Sequence, residues 1–438
     1  MSQFREHPLR KDLAQEVHAR PYGLLRPPVR VSHLAVLSGE TDAEGDRLHV
    51  QLLCRHFGVD GPESGTKHYS GSLEGKGDQE LRFKWERHTE FSSYTFYQSG
   101  PFDAPFAESA VKRVPADWLA ALPGDVLVAT NLTLEPADAP QRNFTDLAKL
   151  FADNTVTGSG MLDGAALVWT DFRIHDDNFN RVLIRDNGMN QRQAGRLVQR
   201  ILEVGSYRMM AMLAFPLARQ VLPKLVRYER DLSDLIGRMD QAESGDDERQ
   251  TLKNLTNLAA EIEALSLNIN YRFTAARAYH TLVNRRIEEL REVRINDLSE
   301  VKGLQPPGEF VTRRLSPAMD TCRSASERLD SLALRVGRAS DLLRTSVDVA
   351  LEEQNRDLLK SMDRRAKVQL RLQETVEGLS IVAISYYLLG LVTYAAKSAK
   401  AAGLPINPEI ATGIALPVVL ALVWYSMRRI RNKLGKAD

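Results

Sequence analysis

The run Leu379–Ala396 (LSIVAISYYLLGLVTYAA) sets the strongest limit on how this 438-residue chain can fold. It holds no charged residue, and as a helix it spans about 27 Å, close to the hydrocarbon thickness of a bilayer. A second apolar run, Ile410–Met427, follows after a short polar gap. Arg364, Arg365, Lys367 and Arg371 precede the first run, and Arg428, Arg429, Arg431, Lys433 and Lys436 follow the second. Only Lys397 and Lys400 lie in the stretch before the second run. By the positive-inside bias both outer flanks are cytoplasmic and the gap faces out. The expectation is a multi-pass protein of a bacterial inner membrane with cytoplasmic N- and C-termini. Residues 379–396 and 410–427 form its two-span hairpin, and 428–438 a basic cytoplasmic tail.

The opening thirty residues contain no apolar core of a signal peptide, so the membrane address is expected in the C-terminal pair. Lys and Arg (58) nearly balance Asp and Glu (57). That leaves no overall basic footprint, and no nucleic-acid partner is expected. Cys54 and Cys322 lie far apart and suit free thiols in a reducing compartment.

Residues 1–187 read as an α+β head. Pro28–Ser38 alternates between Pro and Gly boundaries and predicts a strand. Asp42–Phe57 predicts a helix with Leu48, Leu52 and Leu53 inward. Lys67–Leu73, Glu80–His88 and Phe91–Tyr97 predict successive antiparallel strands. Pro115–Ala121 predicts a short helix, and Asp125–Leu134 a strand offering Val126, Val128 and Leu132 to the core. Asn143–Phe151 predicts a helix, and Val156–Ser159, Ala165–Ile174 and Arg181–Ile184 a further sheet segment. Hairpin-length connections imply a mainly antiparallel or mixed sheet.

No phosphate-binding loop, nucleophile elbow or H-E-x-x-H helix occurs in this head. Nothing in it requires an enzyme, and no cofactor is expected. His175, Asp176 and Asp177 are candidate metal ligands, although adjacent polar residues between two strands more often form a solvated hairpin loop. Glu86, His88 and Glu90 alternate along one strand face and meet the same objection. The opening HPLRKDLAQEVHARPY suits a short helix through Leu9, Leu13 and Val17 that stops before Pro21. Its His7, Arg10, His18 and Arg20 form a candidate recognition element for an anion or partner.

Residues 190–378 predict a stalk of three long helices. Leu197, Ile201, Val204 and Arg208 share the first face, and Met209–Leu217 is dense but too short to span, with Pro216 predicting a kink. SGDDER predicts a turn. From Thr251 to about Val301 apolar residues step by three and four in heptad-like fashion, until GLQPPG interrupts. From Glu309 a third stretch, Cys322 to Leu343, continues toward the first span. Arg364, Arg365, Lys367 and Arg371 before the two-span hairpin, and Arg428, Arg429 and Arg431 after it, are expected to meet anionic lipid headgroups.

On the first span Ala383, Tyr386, Gly390 and Thr393 form a small-and-polar stripe. Packing against the second span, where Gly413 and Pro417 lie, is its plain explanation, and a pore-lining face the functional one.

The opening HPLR and HARP motifs, the EGLSIVAISYYLLGL segment and the paired C-terminal runs together resemble a bacterial family of membrane-anchored proteins, catalogued as domain-of-unknown-function family 3422. The resemblance covers the whole chain and implies topology rather than chemistry. The order of parts also looks like that of CorA-type magnesium channels, and Pro408-Glu409 echoes a pair before their second span. Their Gly-Met-Asn signature is absent, since Leu391–Ala396 reads LVTYAA. Two functions are therefore expected. One is a non-enzymatic scaffold or interaction protein with a protein partner or a second copy of itself. The alternative is an oligomeric CorA-like channel for Mg²⁺ or another divalent cation, with Glu409 as a cation-attracting ring.

Overall fold

A computed structural model of the chain describes residues 7–11, 13–14, 22–39, 43–240, 245–295, 303–403, 405 and 407–434. His18 and Arg20 lie outside these residues, as do the side chain of Arg431 and residues 435–438. Compactness divides the chain into one unit of residues 1–240 and 253–339 and a second of 241–252 and 340–438.

The first unit is built on an eight-stranded mixed sheet. Its strands are β1 (Val29–Leu37), β2 (His68–Glu74), β3 (Leu81–Arg87), β4 (Phe91–Ser99), β5 (Asp125–Glu135), β6 (Thr157–Met161), β7 (Ala166–Ile174) and β8 (Asn180–Asp186). The spatial order is β2-β3-β4-β1-β5-β8-β7-β6. Every neighbouring pair is antiparallel except β5 and β8, which run parallel from Thr130↔Asn180 to Glu135↔Arg185. The free edge of β6 is covered: Gly160 pairs with Val293, and Gly158 N donates to Gln305 O.

The alternation of each strand separates two faces. Leu34, Val36, Phe83, Trp85, Tyr94 and Phe96 pack under α1 (Ala43–His56) and α2 (Ala116–Ala120) in an aromatic core with Trp118. Leu167, Trp169 and Leu183 pack on the same side with α3 (Phe144–Leu150), whose start carries an Asn143–Asp146 capping box. The predicted inward face of α1 is corrected by the structure: Leu48 and Leu52 are exposed, and Leu53 alone of the three is buried. The buried face carries Asp46, Arg47 and His49 beside Val50 and Cys54. Val126 is likewise exposed, while Val128 and Leu132 are buried as expected.

Four long helices follow the sheet. They are α4 (Gln191–Met212), α5 (Ala214–Asp240), α6 (Gly245–Leu290) and α7 (Pro307–Ala401). Asn190 opens α4 with a capping box to Gln193. The chain breaks at Leu213, where Pro216 has no N–H to offer residue 212. Within the first unit α5, α6 and α7 bury heptad-spaced seams. That of α7 runs Val311, Leu315, Ala318, Cys322, Ala325, Leu329, Leu332, Val336 and Ala339 in alternating steps of four and three. The predicted end of α6 is corrected, because the helix stops at Leu290, not near Val301. Arg291 adopts a left-handed φ of 48° and turns the chain onto the β6 edge, burying Ile295. The predicted turn at SGDDER is corrected as well. Asp246, Asp247 and Glu248 form the first turn of α6, where their charge suits the helix dipole.

In the second unit α7 meets α8 (Pro408–Leu434) as a hairpin. Its seam is thin: Ser385, Thr393 and Ala396 face Thr412, Ala415, Val419 and Val423, and Thr393 Oγ1 lies 3.0 Å from Thr412 Oγ1. The remaining surface of residues 379–396 and 410–427 is largely apolar and exposed, including Leu379, Val382, Leu391, Ile414, Val418 and Leu422.

Candidate functional site

The helix-facing side of the sheet is more polar than a core usually is. His33 on β1, Lys84 and Glu86 on β3, and Ser93, Thr95 and Tyr97 on β4 lie under Gln199, Glu203 and Ser206 of α4 and Arg286 of α6. Together they enclose a cavity of about 180 Å³. His33 is buried between two hydroxyls, with Nδ1 2.8 Å from Thr95 Oγ1 and Nε2 2.9 Å from Ser206 Oγ. Burial, reinforced by the Lys84 charge, lowers its pKa to about 4, so the ring is neutral at pH 7. Burial, then the nearby Glu86 carboxylate, raises the Tyr97 hydroxyl and keeps it protonated.

Lys84 Nζ lies 3.0 Å from Glu86 Oε1. Arg286 pairs with Glu203, which also accepts from Gln199 Nε2 at 2.8 Å. Each full charge on the wall thus has a neighbour of opposite sign. Such a cavity suits water or a neutral polar molecule, and gives no net field to draw an ion. Gln199 Oε1 is closed off from solvent and has no hydrogen-bond partner among the described residues. Next in sequence to Phe91, which lines the cavity, Glu90 accepts from Arg272 at 2.6 and 2.8 Å and from Tyr271 OH at 3.3 Å.

A folded-state pKa near 4 against an unfolded value near 6.5 fixes the sign of a pH effect. The unfolded chain takes up the His33 proton first. The stability due to its neutral burial is complete above about pH 6.5 and falls as the pH drops toward 4, by up to roughly 3 kcal/mol. In His33→Asn the decline of urea-unfolding stability from pH 7 to 4.5 should be clearly shallower than in the wild type. Equal slopes would mean that the imidazole is not held neutral.

The structure separates the three metal candidates. His175 turns inward, its Nε2 2.9 Å from the buried Asp171 Oδ2, and Asn154 Nδ2 donates to the same oxygen at 2.9 Å. Asp176 and Asp177 are exposed, and Asp177 Oδ1 closes the hairpin turn by accepting from Phe179 N. Among the described residues no three His, Cys, Asp or Glu side chains converge as a metal site. The His175–Asp171 pair instead braces a bulge in β7 between Thr170 and Ile174.

His7 and Arg10 are exposed, as are Leu9 and Leu13. Glu409 is exposed in the first turn of α8. Of the predicted membrane stripe, Gly390 and Thr393 lie toward the hairpin seam, whereas Ala383 and Tyr386 are exposed. Gly413 and Pro417 sit off the seam. Arg364, Arg365, Lys367 and Arg371 are exposed along α7, and Arg428 and Arg429 follow Trp424 on α8, with the Arg428 guanidinium 5.0 Å from that ring.

Three helical stretches are long and apolar enough to cross a membrane: Gln191–Met239, Pro307–Ala401 and Pro408–Arg429. A third of the apolar window of the first is buried within the protein, against 11% and 6% for the others. The first also covers the polar cavity, so it belongs to the packed domain. The described residues therefore define a mixed-sheet α+β domain with long helices, followed by a helical hairpin of membrane-spanning length and composition. The chain belongs to the family described as "Protein of unknown function (DUF3422)", whose model matches residues 5–434. No curated protein and no solved structure matches it. The likeness to CorA-type channels is accordingly not confirmed.

Proposed function

We propose that the protein is a membrane-anchored interaction protein that holds its α+β head at the cytoplasmic face of a bacterial inner membrane. The observation that carries this reading is the unpartnered circumference of the hairpin. Side chains such as Leu379, Val382, Leu391, Ile414, Val418 and Leu422 lie outside the α7–α8 seam. In water such a surface would aggregate, and in lipid it is the ordinary exterior of a span. The flanking arginines would sit among anionic headgroups at the cytoplasmic face.

Cysteine labelling tests the topology directly. Cys54 and Cys322 are both buried, and burial raises both thiols, that of Cys322 to about 11, which gives a low background. In intact spheroplasts Ala402→Cys should react with a membrane-impermeant maleimide, and Asp357→Cys should react only after permeabilisation. The reverse pattern would overturn the orientation.

A second reading, a CorA-like divalent-cation channel, is favoured by the uninterrupted run of α7 from Pro307 to Ala401 and by Glu409 at the start of the second span. The mass of the nanodisc-held particle separates the two. A pentamer-sized ring would favour the channel and call for Mg²⁺ flux assays. A monomer or dimer, with two or four spans, is too small for a CorA-type central pore and favours the interaction protein.

A further inference from the structure

A second cavity lies beside the first, and one cation on its wall has no counter-charge. Arg208 of α4 is partly buried, and its Nε is closed off from solvent without a hydrogen-bond partner. Among the described residues its guanidinium forms neither a hydrogen bond nor an ion pair. Its one specific contact is the Phe172 ring, 4.7 Å from Cζ. Desolvation alone lowers its pKa to about 10, with no acidic neighbour to offset the effect. A guanidinium withdrawn from water normally carries a carboxylate or phosphate with it.

The pocket that Arg208 borders is mainly apolar, walled by Val128, Val168, Val182, Val204, Ile287 and Val311, with Thr130, Thr170 and Asn180 as its other polar residues. Its enclosed volume is about 60 Å³, less than half of the roughly 150 Å³ that accommodates a benzene. Gly205 also lines it, in the middle of α4, and no atom lies within 4 Å of where its Cβ would stand. Glycine weakens a helix interior. Here its missing side chain leaves the pocket open.

The wall is also held deliberately at Phe172. This bulky residue has a φ of 56°, a conformation that costs free energy for a side chain of its kind. Its bulge is fixed by Phe172 N donating to Thr170 Oγ1 and Arg173 N donating to Asp171 Oδ1. The ring stacks on Phe310 of α7 at 4.7 Å, and Arg208 rests against Phe172.

We propose that this pocket binds a small carboxylate with a short apolar tail, the carboxylate on Arg208 and the tail against the valines. One desolvated cation matches a monoanion, because a dianionic phosphate would carry net negative charge into an apolar pocket. The volume limits the tail to a few carbons.

The test is calorimetric titration and thermal unfolding of the full-length protein in detergent, with sodium butyrate as the probe. Butyrate should bind at least tenfold more tightly than acetate, n-butanol or inorganic phosphate. It should raise the wild-type Tm. Arg208→Met, of similar reach without the charge, should weaken butyrate at least tenfold while raising the Tm of the ligand-free protein. Gly205→Val should also abolish butyrate binding, with the Tm retained to show that the fold is intact. Phosphate binding as tightly as butyrate would overturn the proposal in favour of a simple anion site. Absence of butyrate binding at millimolar concentration would overturn it outright, as would equal binding to the wild type and Arg208→Met.

Discussion

Asp46→Ala is expected to destabilise the α+β domain by about 3–5 kcal/mol, a large part of the 5–15 kcal/mol that holds a typical domain together. Asp46 on α1 and Arg87 on β3 are both buried, 2.9 Å apart. Ser38 Oγ and Ser92 Oγ donate to Asp46 Oδ2 at 2.8 and 2.6 Å, and Arg87 also donates to Ser38 Oγ and to Gly39 O. Trp85 Nε1 extends the network to Ser92 Oγ at 3.1 Å. Removing the carboxylate leaves the buried Arg87 guanidinium without this counter-charge and two hydroxyls without their acceptor. The cost comes from that stranded charge rather than from the lost attraction. Asp46→Ala combined with Arg87→Met should therefore recover much of the loss, because the desolvated charge is gone. Urea unfolding of the solubilised chain gives both values. A single-variant loss below 1 kcal/mol, or strictly additive losses, would show that water reaches Arg87 readily.

This pair also shows where reading from sequence stops. The strands were legible because Val, Phe and Tyr alternate with polar residues between turn signals, and the structure places eight strands at those stretches. The face of α1 was not, because its buried side is Asp46, Arg47 and His49, while Leu48 and Leu52 point outward. Hydrophobicity ranks those positions the wrong way round, since burial here is made possible by partners distant in sequence. The polar cavity was half legible. Of Glu86, His88 and Glu90, expected to alternate along one strand face, Glu86 and His88 line the cavity; β3 ends at Arg87, so His88 and Glu90 fall in the turn before β4. Its lid carries a second signal, Gln199, Glu203 and Ser206 at positions i, i+4 and i+7 of a helix whose buried residues are mostly apolar. Two polar stripes facing each other become a cavity only when the sheet order is known. The early stop of α6 followed from backbone pairing with β6, which leaves no mark in the composition of residues 291–295.

The same substitution at two glycines of α4 is expected to have opposite signs. A Cβ on Gly195 would stand 1.8 Å from the carbonyl oxygen of Gly23, a backbone atom that cannot move aside as a side chain would. That contact exists because the segment before β1 lies across the first turns of α4. Leu25 N donates to Gln191 O at 3.2 Å, the Leu25 side chain is buried, and Arg196 Nη1 donates to Tyr22 OH at 3.1 Å. In Gly195→Ala the segment must lift, which exposes Leu25. Overpacking and lost burial together cost about 2–4 kcal/mol, reduced by about 1 kcal/mol of gained helix propensity. At Gly205 nothing lies within reach of the new methyl, so Gly205→Ala should stabilise the domain by roughly 0.5–1 kcal/mol. Unfolding curves of the two variants read the signs. Limited chymotrypsin digestion reads the mechanism, because in Gly195→Ala cleavage after Tyr22 should accelerate well before the sheet is lost. If Gly195→Ala is neutral and the chain is cut after Tyr22 no faster than in the wild type, the segment does not dock on α4 as described.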